Sequence, residues 1–345
     1  MGQESGASLQ GLASKQNRFY DNTMLGSYKE CPRRFFLRHV LAWRSEGTSL
    51  PLIFGLSWHS AMDVVWEYAS KLSQADLPRA ALAKFYETWE GEGMPPELSV
   101  EQIEQYTPRT PNIAHEMLVQ YVQQRWGMLQ DAQVIAVEQP FAVPLPLYPD
   151  VWYIGKMDKV VRYNGNTLAL EHKTTTEYKK DGGFKSSYIE GWYSDSQIKG
   201  YQFGGGLFYD DLTQVWVDAA LVHKTVHDKY RFVPVAHQFP LLEEWVNDTR
   251  EWVKRVEKDL NQFKIDGQLR PGVFPKNENS CFGKYGACPF VDICRTTSDP
   301  SKLDSVPAGY MVEKWEPFEI LGLDKLIKQG ETSEPKEANN GNTGS

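Results

Sequence analysis

Cysteine is scarce in this chain. Its 345 residues include four, Cys31, Cys281, Cys288 and Cys294, too few for the dense disulfide framework of small secreted domains. No apolar run reaches the roughly eighteen residues that point to a membrane-spanning helix, so no membrane partner is expected. Residues 1–16 are polar and rich in Gly and Ser, without the basic-then-apolar pattern of a signal peptide. A cytoplasmic protein is expected, or one in the host-cell cytoplasm if the chain is phage-encoded. There is no internal repeat and no G-x-x-x-x-G-K-[ST] phosphate loop, so the chain carries no sign of a nucleotide-driven motor. An excess of positive charge is missing too. Lys and Arg number 37 against 45 Asp and Glu, a net charge of −8. That weighs against a protein that coats nucleic acid by bulk charge, but leaves room for a carboxylate-rich cation site with a local basic groove.

What is present suits a globular chain with a sizeable core: 41% hydrophobic residues, 24% charged and 11 Trp. Residues 1–22 read as a flexible N-terminus. Residues 23–131 read as a helical region, with Thr23 or Ser27 as a first cap and helices near 58–72, 78–89 and 112–129; the proline-containing stretch 91–111 reads as a loop. The character turns strand-like near Ala132, and 132–265 reads as an α/β core. Its strands fall at 134–137, 151–163, 167–173, 214–223 and 230–235, and its helices at 196–209 and 241–263. A Cys-rich segment, 266–300, an extension, 301–328, and a disordered tail, 329–345, complete the chain.

Asn164-Gly165 between two strand-like runs is a strong hairpin signal. A two-residue turn there puts Tyr163 opposite Asn166 and, further down the ladder, Asp158 opposite Glu171 with Cβ atoms roughly 5 Å apart. Lys173 lies two residues past Glu171 and shares its face. Opposed carboxylates repel, and a hard divalent cation relieves the repulsion. Lys173 beside them is placed to orient or deprotonate a water and to offset phosphate charge. A solvated surface hairpin with an ion-pair ladder accounts for the same three residues, and a one-residue slip of register would part the carboxylates. His59, near the start of a helix, reads alone as an ordinary histidine. Gln197 and Tyr201 share a helix face at i, i+4. For the cysteines, three of which fall within fourteen residues, the readings are a metal centre or buried free thiols.

Four segments together, Gly55-Leu56-Ser57-Trp58-His59, Gly155-Lys156-Met157-Asp158, Glu171-His172-Lys173 and Gln197-Ile198-Lys199-Gly200-Tyr201, resemble in order the motifs of RecB-like PD-(D/E)XK nucleases. That group includes the nuclease domains of RecB and AddAB helicase–nucleases and CRISPR-associated spacer-processing nucleases. The resemblance spans about residues 25–296. It implies a restriction-endonuclease-like α/β core, a mixed central sheet flanked by helices, with an N-terminal helical insertion and a C-terminal Cys-rich segment. It implies Mg²⁺ or Mn²⁺ held by His59, Asp158, Glu171 and the main-chain carbonyl of His172, with Lys173 catalytic and Gln197 and Tyr201 supporting the site. Glu138 falls where the family often has an acidic residue on the preceding strand.

Cys31 with Cys281-x6-Cys288-Pro289-x4-Cys294 is similar to the iron–sulfur members of the family, whose four thiolates hold a structural [4Fe–4S] cluster. The common spacing there begins C-x2-C, so Lys284-Tyr285-Gly286-Ala287 must form a wider loop. A Cys₄ zinc site is the other metal reading. The resemblance implies a metal-dependent deoxyribonuclease, an exonuclease that hydrolyses single-stranded DNA or DNA ends with Mg²⁺- or Mn²⁺-activated water, in recombination, repair or phage DNA metabolism. Partnership with a helicase, recombinase or integrase, a catalytically silent DNA-binding scaffold, and a hydrolase of small phosphodiesters are the other readings. Candidate DNA contacts are Arg33, Arg34 and Arg38 beside Cys31, Lys179, Lys180 and Lys185, and the aromatics Tyr178, Tyr188, Trp192 and Tyr193.

Overall fold

A computed structural model describes residues 18–47, 49–145, 148–179, 183–283 and 286–323. Lys180, the tail 329–345 and all but the end of the stretch 1–22 lie outside the described residues. The chain begins with β1 (Arg18–Tyr20), α1 (Asn22–Glu30), α2 (Pro32–Phe35), a π-turn over Phe36–Val40 and β2 (Trp43–Ser45). Four helices follow, α3 (Leu50–Tyr68), α4 (Leu77–Gly91), α5 (Val100–Tyr106) and α6 (Pro111–Asp131). Next come β3 (Gln133–Leu145), β4 (Tyr148–Tyr163), β5 (Asn166–Thr175), α7 (Ser186–Gly191), α8 (Ser196–Gly206), β6 (Leu212–Leu221), β7 (Tyr230–Val235) and α9 (Phe239–Asp266). The chain then runs through β8 (Phe282–Gly283), β9 (Gly286–Ala287), α10 (Val291–Thr296), β10 (Tyr310–Val312) and α11 (Pro317–Ile320).

The long strand β4 organises the mixed sheet. β3 lines one of its edges antiparallel over nearly its whole length. Its other edge is shared. β1 pairs parallel with Val151–Tyr153, and β5 pairs antiparallel with Lys159–Tyr163. β6 then runs parallel to β5, and β7 antiparallel to β6. Asn164 and Gly165 both take positive φ, 49° and 77°, as a two-residue type I′ turn requires. Tyr163 faces Asn166 in the expected register.

Alternation along β4 and β5 sends Val160 and Ala169 to one face and Val161, Leu168 and Leu170 to the other. The first face packs against α1, α2, α8 and α9, and the second against α3, α4 and α6. The sheet is thus flanked by helices on both faces.

Several local readings change on physical grounds. Asp21, rather than Thr23 or Ser27, caps α1, accepting the Met24 N–H at 2.7 Å. Pro32 then ends α1, because the residue before a proline is driven out of the helical region; Cys31 is extended, at φ −160° and ψ 109°. The third helix starts at Leu50, with proline in its first turn, so Gly55 lies inside it rather than before it. The stretch read as a loop at 91–111 contains α5, which a capping box of Ser99 and Gln102 starts.

The N- and C-terminal parts of the described chain are tied together. β2 pairs with β10. Arg33 donates to the carbonyls of Phe274 and Ser298, each at 3.1 Å. Tyr28 donates to Asp259 at 2.8 Å, and Asp259 also accepts the Phe274 N–H. Arg33 is therefore buried in the fold and does not offer a phosphate contact.

Asp21 itself is buried, and burial pushes its carboxyl from 3.8 up to about 6 despite the hydrogen bonds that oppose the shift. Between those two pH values the folded chain keeps a proton that the unfolded chain has lost, so stability falls as pH rises through the window. Asp21→Asn keeps the cap and removes the charge. The variant is expected to be more stable than wild type at pH 8, by at most about 3 kcal/mol, with the gap closing by pH 4. Urea midpoints at the two pH values check this; a pH-independent difference would contradict it.

Candidate active site

β4 and β5 pair only as far as Lys159 and Leu170. One residue further the strands part, and the next pair in register is Asp158 and Glu171. Asp158 does not leave the freed backbone unpaired: its Oδ2 accepts the His172 N–H at 2.8 Å. The same oxygen lies 3.1 Å from His59 Nδ1. Glu171 Oε1 meets the Lys173 ammonium and accepts from Gln197 Nε2 at 3.2 Å. That amide also donates to the Tyr201 hydroxyl at 2.7 Å. Four of the expected site side chains, Glu171, Lys173, Gln197 and Tyr201, thus form one connected group, and Asp158 and His59 form a second that meets it at the His172 main chain.

Each side chain is placed by its element. His59 and Asp63 stand four residues apart on α3, whose other inward residues are mostly apolar. They grip consecutive residues of β4: His59 holds Asp158, and Asp63 accepts from Lys159 Nζ at 2.7 Å. Lys159 is fully buried, so this pair fixes β4 against α3. On the other face, Asp195 caps α8 by accepting the Gln197 and Ile198 N–H groups at 2.7 and 3.2 Å. The glycines of α8 let it lie close on the sheet. A Cβ at Gly200 would stand 2.6 Å from the Tyr153 hydroxyl, and one at Gly204 would stand 2.3 Å from the Phe141 ring. Glycine is a weak helix former, and here these glycines are the packing face of the expected helix.

His172 points the other way, as strand alternation demands. Its Nδ1 lies 3.0 Å from Asp218 Oδ2, which also accepts from the Tyr121 hydroxyl at 2.6 Å. Trp66 Nε1 donates to that hydroxyl at 3.2 Å. The imidazole therefore belongs to a buried network behind the strand, and only the main chain of His172 faces the site. Lys159, Asp63, Asp218 and Tyr121 were missed in the sequence. The polar pair His59 and Asp63 at i, i+4 on an apolar helix was the one available signal.

The two carboxylates differ sharply. Burial, and then the charge of Asp158, push Glu171 up to about 7, with Lys173 and His59 opposing. Burial also disfavours ionised Asp158, but His59, His172 and Lys159 outweigh it and hold the carboxyl below its ordinary range. Lys173 is raised, since Glu171 and Asp158 outweigh its burial. Glu171 Oε2 is buried with no protein partner. Among the described residues no three His, Cys, Asp or Glu side chains converge as a ready ligand shell. A carboxylate pair with an unpartnered buried oxygen nevertheless fits a hard cation such as Mg²⁺, which often takes only one or two carboxylates.

Glu138 stands opposite Asp158 on the β3 side of the ladder, where the register skips a pair. It has φ 52° and is ion-paired with Lys156. Of the other candidate contacts, Tyr178 and Tyr193 are exposed, whereas Tyr188 and Trp192 are half-buried, edge to face on each other and packed against the core. The Lys179 N–H is bonded to Gly183 O, and Arg34 pairs with Glu30.

The cysteines lie in the segments that tie the N- and C-terminal parts together, but among the described residues no three of them converge on a common centre. The six residues between Cys281 and Cys288 include the β8–β9 pair, and the Cys288 N–H closes the loop on Cys281 O at 2.8 Å. This pairing leaves the two cysteines opposite each other, while Lys284 and Tyr285 of the expected wider loop lie outside the described residues. The Asn277 N–H points at Cys31 Sγ, 3.4 Å away. Burial raises the thiols of Cys288 and Cys294, with Cys31 adding to both shifts and nearby Arg34, Lys276 and Arg33 opposing.

The sequence profile of the PD-(D/E)XK nuclease superfamily matches residues 23–295. The chain belongs to that superfamily. No curated protein matches it in sequence. Among solved structures it is similar to a protein of Eubacterium rectale assigned as a candidate exonuclease, at 13% identity and TM-score 0.44, covering 93% of this chain and 98% of that one. It is also similar to the alkaline exonuclease LHK-Exo of Laribacter hongkongensis, at 13% identity and TM-score 0.29, covering 61% and 96% of the two chains. No helix among the described residues is long and apolar enough to cross a membrane.

Asp218 is the keystone of the network behind His172. Asp218→Ala leaves the Tyr121 hydroxyl and His172 imidazole without their acceptor and is expected to cost about 2–4 kcal/mol. Tyr121→Phe removes one donor and is expected to cost about 1 kcal/mol. Denaturant titration of both variants checks the ranking; equal costs would show that Asp218 is not the shared acceptor.

Proposed function

We propose that the chain is a metal-dependent deoxyribonuclease of the RecB-like type, an exonuclease working on single-stranded DNA or DNA ends. One observation carries this reading: Asp158 and Glu171 meet where β4 and β5 separate, with Lys173 and Gln197 on Glu171 and one buried Glu171 oxygen left without a partner. Asp158, Glu171, His59 and the main-chain carbonyl of His172 would hold the cation. When bound, Mg²⁺ or Mn²⁺ polarises a phosphate and lowers the pKa of a coordinated water.

The chain's own groups do the rest. Lys173 brings positive charge to a scissile phosphate, which stabilises the charge that develops during attack. Gln197, fixed by Tyr201 and by the Asp195 cap, holds the Glu171 carboxylate in one orientation. The Asp63–Lys159 pair and the Asp218 network, both on the α3 and α6 face, hold β4 and β5 in place, so that the carboxylates keep their spacing.

Cleavage of end-labelled single- and double-stranded DNA is expected with Mg²⁺ or Mn²⁺ and not with EDTA. Asp158→Ala and Glu171→Ala are expected to lower the rate by at least about 10²-fold, with the fold retained by circular dichroism. A wild type that cleaves equally well in EDTA would sink the proposal, as would full activity in both variants. The product ladder gives the polarity.

The same reading extends to the cysteines: Cys31, Cys281, Cys288 and Cys294 would hold a [4Fe–4S] cluster, with zinc as the alternative metal. The main-chain N–H on Cys31 and the basic side chains Arg33, Arg34 and Lys276 suit an anionic thiolate set. Anaerobically purified protein is expected to contain about four iron and four sulfide per chain, and Cys31→Ser to lose them with a lower Tm. Zinc without iron would assign the other metal. No metal, with Tm unchanged in Cys31→Ser, would remove the centre.

A further inference from the structure

A cavity of about 470 Å³ lies between α1, the π-turn, β2 and the segment at Pro289–Phe290. None of its lining residues belongs to the candidate active site. Its volume falls in the range of small-molecule sites, and its lining is unlike the rest of this acidic chain. Arg34, Arg38 and Arg44 face it against one lining acid, Glu30, which is paired with Arg34. Arg38 and Arg44 converge on a single carboxylate, that of Glu313. Trp315 supplies an aromatic wall, and Asn22, Thr23 and Ser27 of α1 a polar one.

The backbone is irregular where the cavity needs it to be. Arg38 sits within the π-turn of Phe36–Val40, a distortion common at functional sites. Four residues on, Ala42 takes φ 58°, which costs free energy in a residue with a Cβ. Between them these two departures from regular geometry set the direction of Arg38 and Arg44.

We infer that this cavity is a second nucleotide site, separate from the reaction centre, which takes a phosphate of single-stranded DNA on Arg38 and Arg44 and a base against Trp315. The inference rests on the nuclease reading for its substrate class. Guanidinium groups match phosphate oxygens in pairs, and an indole face stacks on any base, so the site discriminates little between sequences. Glu313 holds the two arginines together when the site is empty, and a phosphate competes with it. α1, which forms one wall, also packs on α8, the helix that carries Gln197. A strand held here is anchored beside the helix that supports Glu171.

The test is equilibrium binding of a fluorescent oligo-dT to the full-length chain in EDTA, by anisotropy, so that cleavage plays no part. Arg38→Gln and Trp315→Leu are each expected to weaken binding about tenfold, and Arg38→Gln to flatten the salt dependence by about 0.7 in log–log slope. Glu313→Gln breaks the same ion pairs but leaves the guanidinium groups to the ligand, so it is expected to tighten binding. A merely structural ion pair predicts the opposite: Arg38→Gln and Glu313→Gln would weaken binding together, and that result overturns the inference. So would unchanged binding in all three variants. Displacement by free dTMP as effectively as by unlabelled oligo-dT would assign the cavity to a free nucleotide and overturn the strand reading. The nuclease proposal stands or falls separately, on metal-dependent cleavage and its loss in Glu171→Ala.

Discussion

Two carboxylates held close together, away from water, impose the main constraint on this fold. Left alone, Asp158 and Glu171 would repel each other and the site would open. Compensation comes from every side. His59 reaches over from α3 to Asp158, Lys173 closes on Glu171, and Gln197 arrives from α8 on the opposite face of the sheet. Further out, the Asp63–Lys159 pair and the Tyr121–Asp218–His172 network stop the strands from relaxing. Within the carboxylate pair the compensation stops short at Glu171 Oε2, and that residual demand is what a cation can meet. Because a half-satisfied buried polar group is costly, an arrangement of this kind is poor as a mere structural device and sensible as a binding site.

Much of this was legible in the chain because hairpin geometry is local. Asn164-Gly165 defines a turn, the turn defines the register, and the register pairs Asp158 with Glu171 and aligns Lys173. Gln197 and Tyr201 needed only helical spacing. The supports were illegible for the opposite reason. Asp218 and Tyr121 are 97 residues apart, and Lys159 reads as one more charged strand residue until α3 is folded over it. The α8 helix was legible despite its glycines, but their packing role was not, since it lies in Phe141 and Tyr153 across the interface. α5 was overlooked because the neighbouring prolines outweighed a short capping box.

The basic residues near Cys31 show how position divides one sequence patch. Arg33 turns inward and holds the main chain at Phe274 and Ser298. Arg34 and Arg38, one and five residues on, line an open cavity instead. Pro32 starts the short helix, and the π-turn resets its phase, so neighbouring arginines serve the core and the surface respectively. The distribution follows from backbone geometry and could not be read from charge.

The closure of the chain on itself has a consequence in time. The core on the α3, α4 and α6 side draws its buried residues from 53 to 222, and can assemble as soon as those residues leave the ribosome. The other core runs from Tyr20 to Ile293, and β1, α1 and α2 emerge early yet must wait for partners some 240 residues later. Domains form from the N-terminus as synthesis proceeds, but here residues made early, Arg18 to Phe35, are among the last to be placed. A nascent chain therefore carries Asp158 and Glu171 well before the clasp that steadies α8 and Gln197 can shut, and a ribosome stalled in that interval would hold a site whose parts exist but are not yet fixed.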